Sequence, residues 1–216
     1  MGRPIRHLKK TFVIFCEGDT EYNYFTGMKN LPNLEITLKP VNMHGGGYKS
    51  FLQAIKKESS LNRIATFIIV DGDRANNIKG ELKALQELQE YCVRQNDKDC
   101  KKPYFLIVDS PNFEYIACLH DSNYSGGDTI QHIKNVFKFE NIDSFKGNPN
   151  IYSFLNTNSK NHKHMIGQIN KRPKLISNRY IRDGMLISIS GTDKNWDLIG
   201  QRSSNIEEFF DIALNN

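Results

Sequence analysis

The chain is 216 residues long, 38% hydrophobic, 25% charged and 11% aromatic, a composition that excludes a disordered chain and suits one well-filled domain. Lys and Arg outnumber Asp and Glu by 29 to 24, a formal charge of +5 that fits a polyanionic partner and an ordinary basic protein alike. The four cysteines, Cys16, Cys92, Cys100 and Cys118, have no CxxC or Cys/His zinc spacing, and no apolar run reaches membrane-spanning length, so a reduced, cytoplasmic protein is expected.

In chain order, the basic start with Arg3, Arg6, Lys9 and Lys10 leads into Thr11-Phe-Val-Ile-Phe-Cys16, an apolar run typical of a strand buried on both faces. It ends on Glu17-Gly-Asp-Thr-Glu21. Tyr22, Phe25, Met28 and Leu31 then recur at three-residue spacing, predicting a helix capped by Asp19 or Thr20 and closed by Pro32. Residues 34–41 alternate like an outer strand, Gly45-Gly-Gly47 lies in a loop, and a helix is expected from about Ser50 to Ser59. A second buried strand, Ala65 to Val70, ends at Asp71-Gly-Asp73, and a helix follows from Ile78 to Val93. A third, Tyr104 to Val108, runs into Asp109-Ser-Pro-Asn-Phe-Glu114 and a helix opening at Glu114 to His120. This alternation predicts an α/β fold, a mostly parallel sheet with helices on both faces. Residues 1–120 form the core in this reading, and 121–216 complete the same domain as a C-terminal extension. That extension contains a polar basic loop at about 141–175, a last strand at 185–190 and a closing helix from Asn205 to Leu214.

In such sheets, functional groups collect at the carboxyl ends of the strands. Glu17 ends the first strand, and Asp71 and Asp73 end the second, where side chains two apart in an extended segment share a face. An oxygen-only cluster of this kind holds Mg²⁺ or Mn²⁺ and serves phosphoryl chemistry. Asp71-Gly-Asp73 by itself reads first as a turn, and its pairing with Glu17-Gly18 at a matching strand end is what favours a site. Glu21 reads either as a metal neighbour or as a first-turn acid, and Glu114 as a site residue or a cap. Asp109 reads first as a solvated turn residue, and His44 and His120 as structural. Gly45-Gly-Gly47 lacks a Walker ending and reads as a connector. Lys160, Lys163, Lys171, Arg172 and Lys174 form the candidate nucleic-acid surface, with a solvated basic loop as the alternative; Lys194 is a more distant candidate.

A strand closing on Glu-Gly and a later strand closing on Asp-x-Asp resemble the TOPRIM domain of topoisomerases, primases and nucleases. The segments Cys16-Glu17-Gly-Asp-Thr-Glu21-Tyr-Asn-Tyr24-Phe25 and Ser110-Pro-Asn-Phe-Glu114-Tyr resemble the RloB-like branch of bacterial TOPRIM proteins, and Glu17-x-x-x-Glu21 is similar to the OLD-type nuclease TOPRIM. The resemblance implies proton transfer by Glu17 and Mg²⁺ or Mn²⁺ held by Asp71 and Asp73, with Glu21 and Glu114 completing the shell. It further implies a nuclease acting on RNA, such as tRNA, or on DNA in anti-phage defence, often beside an ATPase companion. The chain departs from the pattern in having Ser110-Pro-Asn-Phe-Glu114 in place of Asn-Pro before Cys-Phe-Glu, and it lacks a topoisomerase-like tyrosine. Two other activities stay open: a non-catalytic, nucleotide-sensing regulatory subunit of an ATPase-containing complex, and nucleotidyl transfer.

Overall fold

The computed structural model describes residues 10–32, 34–99, 101–157 and 160–214. Arg3, Arg6, Lys9 and Cys100 lie outside them. The first half follows the expected alternation: β1 (Thr11–Cys16), α1 (Asp19–Met28), β2 (Thr37–Asn42), α2 (Tyr48–Lys57), β3 (Arg63–Asp71), α3 (Asp73–Asn77), α4 (Glu81–Lys98) and β4 (Tyr104–Asp109). The four strands pair in parallel in the order β2-β1-β3-β4. Every residue of β1 and β4 is buried, as strands covered on both faces require. β2 lies at the edge, where Pro40 opposite Ile14 leaves no inner ladder short of a donor.

Side-chain alternation divides the interior into two cores. Phe12, Ile14, Cys16, Phe67 and Ile69 face one, which includes α1 and the C-terminal helices; Val13, Phe15, Ile68 and Val70 face the other, against α2 and α4. The chain leaves β1 toward β2 and later leaves β3 toward β4, in opposite directions across the sheet. β1 and β3 are neighbours, so their carboxyl ends flank a topological switch point, the place where open α/β sheets keep their crevice.

Downstream lie α5 (Phe113–Cys118), α6 (Thr129–Asn135), α7 (Ile142–Lys146), α8 (Ile151–Leu155), α9 (His162–Ile169), β5 (Ile176–Asp183), β6 (Leu186–Lys194) and α10 (Glu207–Leu214). One expectation changes here. The 141–175 stretch is a set of short helices rather than a polar loop, because Asn141 and Asn161 cap α7 and α9 while Phe145, Ile151, Leu155, Met165 and Ile169 supply buried anchors. The expected last strand is present as β6 and pairs with β5 in a separate antiparallel hairpin. The free edge of β4 is covered instead by residues 203–205: Ser203 bridges to Ser110, the Asn205 amide donates to the Leu106 carbonyl at 3.0 Å, and its oxygen accepts from the Val108 N–H at 3.1 Å. Among the described residues no helix is long and apolar enough to cross a membrane.

Candidate functional site

The switch point brings Glu17 and Asp71 together. Glu17, which follows β1 and is 6% exposed, accepts the Asp71 backbone N–H at 2.9 Å through Oε2. Asp71 in turn accepts the Phe113 N–H at 2.9 Å through Oδ1, linking the end of β3 to the start of α5. Register sets Asp109 beside Asp71 on the neighbouring strand. Gly72 packs closely at the next step, since a Cβ there would lie 3.0 Å from Cβ of Ser110.

The remaining acids arrive on helices. Glu21 lies in the first turn of α1 and is 2% exposed, so it is a first-turn acid turned inward. Glu114 on α5 is buried, accepts the Thr20 hydroxyl at 2.6 Å and lies 3.6 Å from the Lys146 ammonium. It does not cap that helix; Asn112 does, accepting the Tyr115 N–H. Asp19 is not a cap either: Gly18 is the N-cap of α1, and Asp19 accepts from Asn42 at 2.6 Å.

Two expectations about the aspartates need correcting. Asp109 is fully buried rather than solvated, with Oδ1 accepting the Ser204 hydroxyl at 2.5 Å and Oδ2 lacking a hydrogen-bond partner. Asp73 opens α3 and so does not continue the extended face of Asp71; it is half-buried, its N–H donates to the Pro111 carbonyl, and its charge acts on Glu17.

Packing several carboxyl groups together away from water disfavours their ionisation. Burial pushes Glu17 up to about 7, against the Asp71 N–H bond and the Arg74 charge, with Asp73 and Glu81 adding to the rise. Burial also raises Glu21 and Asp71 well above the usual carboxylate range; Glu114 adds most to the first, and Glu21, then Glu114, Glu17 and Asp109, to the second. Asp109 rises to about 7 by burial, opposed by Ser204 and reinforced by Glu114. Lys146 responds oppositely: burial works to lower it, but Glu114, Asp71 and Glu21 outweigh that and raise it.

The donor set is therefore oxygen-only and buried, with Lys146 and Arg74 acting on it among the described residues. That chemistry fits a hard divalent cation. Among the described residues no three acidic, histidine or cysteine side chains are already drawn into ligating geometry, since Glu17 and Asp71 each commit an oxygen to a backbone N–H.

The candidate basic residues differ in their surroundings. Lys160 lies over the Phe154 ring at 3.8 Å, Lys174 pairs with Glu207, Arg172 lies against Tyr115, and Lys163 and Lys171 are exposed. Lys163 and Lys174 line a cavity of about 650 Å³ with His162, Tyr180, Glu208 and Phe210, which shares no residue with the acidic edge. Lys194, on β6, is exposed. His44 is exposed, and His120 is a core residue: Tyr24 Oη lies 2.9 Å from its Nε2, and burial lowers it to about 3. No family model matches the chain, and no curated protein or solved structure is significantly similar to it.

Asp109, Lys146, Thr20 and Ser204 were not legible as site residues. Lys146 comes from a polar, aperiodic stretch whose one local signal is the Asn141/Ser144 capping box.

Proposed function

We propose that the chain is a Mg²⁺- or Mn²⁺-dependent nuclease that hydrolyses phosphodiester bonds, with RNA favoured over DNA and a role in anti-phage defence as the TOPRIM, RloB-like resemblance implies. The observation that carries this is the gathering of Glu17, Glu21, Asp71, Asp109 and Glu114 at the carboxyl edge of a parallel sheet, beside its switch point.

Asp71, Glu21 and Asp73 would hold the metal. A bound divalent ion supplies charge neutralisation on nonbridging phosphate oxygens and a more acidic water. Glu17, poised near neutrality, takes or returns the proton at its carboxyl group; a general acid or base works best when its pKa lies near the working pH. Glu114, held by Thr20 and Lys146, fixes the entry of α5 and hence the Phe113 N–H that orients Asp71. Lys146 offers its ammonium to negative charge that develops beside the acids.

The test is cleavage of labelled RNA and DNA pools by the purified chain with Mn²⁺ or Mg²⁺, beside Glu17→Gln and Asp71→Asn. Wild-type cleavage that falls about 10²–10⁴-fold in Glu17→Gln is the expected result. Intact pools, or cleavage equal in the variants, overturn it.

A second reading, a regulatory subunit beside an ATPase, draws on the engagement of Glu17 and Asp71 by backbone donors. It is favoured if Asp71→Asn and Glu17→Gln both keep phage protection and complex formation.

A further inference from the structure

One residue beyond Glu114, Tyr115 of α5 carries two arginines that the acidic cluster does not use. The guanidinium carbons of Arg202 and Arg172 lie 5.1 and 5.6 Å from its ring centroid. They converge on one point: a side-chain carbon added to Gly126 would stand 2.8 Å from Nη1 of Arg202 and 3.5 Å from Nη2 of Arg172. Gly126 has φ +102°, a conformation that glycine alone adopts without strain, and any side chain there would collide with the Arg202 guanidinium. The turn is pinned at Gly127, whose carbonyl accepts from Arg202 Nη2 at 3.1 Å and from the Tyr124 hydroxyl at 2.8 Å.

Two like charges drawn to one place repel, and natural proteins usually set a carboxylate between them. Among the described residues neither arginine forms an ion pair. Two buried polar atoms at this place also lack hydrogen-bond partners, Nε of Arg172 and the hydroxyl of the fully buried Tyr115. Arg202 itself is exposed and Arg172 is half-buried. Planar guanidinium forks match the oxygen spacing of phosphate, and a tetrahedral oxyanion offers acceptors to both at once.

We propose that Arg172 and Arg202 form a two-pronged subsite for a phosphate oxyanion, and that the phosphate is a backbone phosphate of the strand presented to the acidic edge. The two places are joined through the chain: Ser203, next to Arg202, bridges to Ser110 at the end of β4, and Ser204 donates to Asp109. Tyr115 is likewise the neighbour of Glu114 on α5. The identity of the ligand rests on the phosphodiester reading above; phosphate binding itself does not.

The test is run in chelator, where metal-dependent hydrolysis is silent. Inorganic phosphate is titrated into the ¹⁵N-labelled chain while the arginine Nε–H resonances are followed, and a fluorescein-labelled single-stranded RNA is titrated by anisotropy at several salt concentrations. Phosphate is expected to shift the Arg172 and Arg202 resonances. Arg172→Ala/Arg202→Ala is expected to weaken RNA about tenfold at low salt and to flatten the logarithmic salt slope by about 0.7 for each phosphate that is no longer neutralised. Arg172→Lys/Arg202→Lys keeps the charge and loses the forks, and it should recover part of the slope. Resonances that ignore phosphate overturn the subsite, and this arm needs no variant to fold. Shifts with RNA affinity unchanged in the double variant overturn the strand as the source and leave free phosphate. A phosphate response in a chain that cleaves nothing overturns the nuclease and not the subsite.

Discussion

At the scale of single residues, the buried carboxyl groups carry an energetic cost that depends on pH. Asp109 is raised to about 7 in the folded chain by burial, against about 3.8 for an exposed aspartate. Its folded form therefore binds more protons than its unfolded form between those values, so its contribution to stability is complete below about 4 and is lost as pH rises through about 7. His120 works with the other sign: lowered to about 3 by burial, it contributes above about 6.5 and that contribution is lost as pH falls. Asp109→Asn separates the two, and its stability relative to the wild type is expected to improve steadily from pH 4 to pH 7.5 in chelator, read by urea denaturation at each pH. Mg²⁺ or Mn²⁺ should reverse the high-pH loss in the wild type, because a cation that binds only the folded state stabilises it. A difference between the two proteins that stays constant with pH contradicts the assignment.

At the scale of elements, helix α1 positions Glu21 and Thr20, and its placement depends on α8, against which it packs. Gly27 is the point of closest approach: a Cβ there would stand 2.6 Å from Cβ of Tyr152, an atom fixed to its own backbone. Alanine in place of an interior helix glycine ordinarily gains up to about 1 kcal/mol through propensity. Here the overlap outweighs it, and Gly27→Ala is expected to destabilise by about 1–3 kcal/mol, measured by chemical denaturation. A stabilised variant would mean that α1 and α8 can separate at Gly27 at little cost. The helices of 141–175 were illegible for a related reason: α7 and α8 are five residues each, too short to show a hydrophobic period, and they exist because Phe145, Ile151 and Leu155 find a core already built by α1.

At the scale of the whole molecule, α10 closes the structure. Phe209 packs edge-on against Phe25 of α1 at 4.9 Å and Phe67 of β3 at 5.0 Å, while Glu208 accepts both the backbone and side-chain N–H of Asn178 on β5. One helix thus ties the sheet, the first helix and the hairpin together. Phe209→Ala is expected to cost about 3–5 kcal/mol and to lower the transition of the entire chain rather than release the C-terminal end alone, which circular dichroism and tryptophan fluorescence at Trp196 would report as one coincident melt. Separate transitions would show two independently folding units.

The parallel sheet, its edge strand and the strand ends that bear Glu17 and Asp71 were legible in the amino-acid order, because continuous apolar runs and their punctuation are local signals that burial on both faces imposes directly. Which other groups join them was decided by tertiary structure. Asp109 became buried because register sets it beside Asp71 and the 203–205 segment covers its strand, and Lys146 reached the acids because a capped five-residue helix docked on α1. The pairing of Arg172 with Arg202 likewise joins segments far apart in sequence. Periodicity reports what a residue's own element buries; the company a charge keeps depends on chain crossings that no local pattern records.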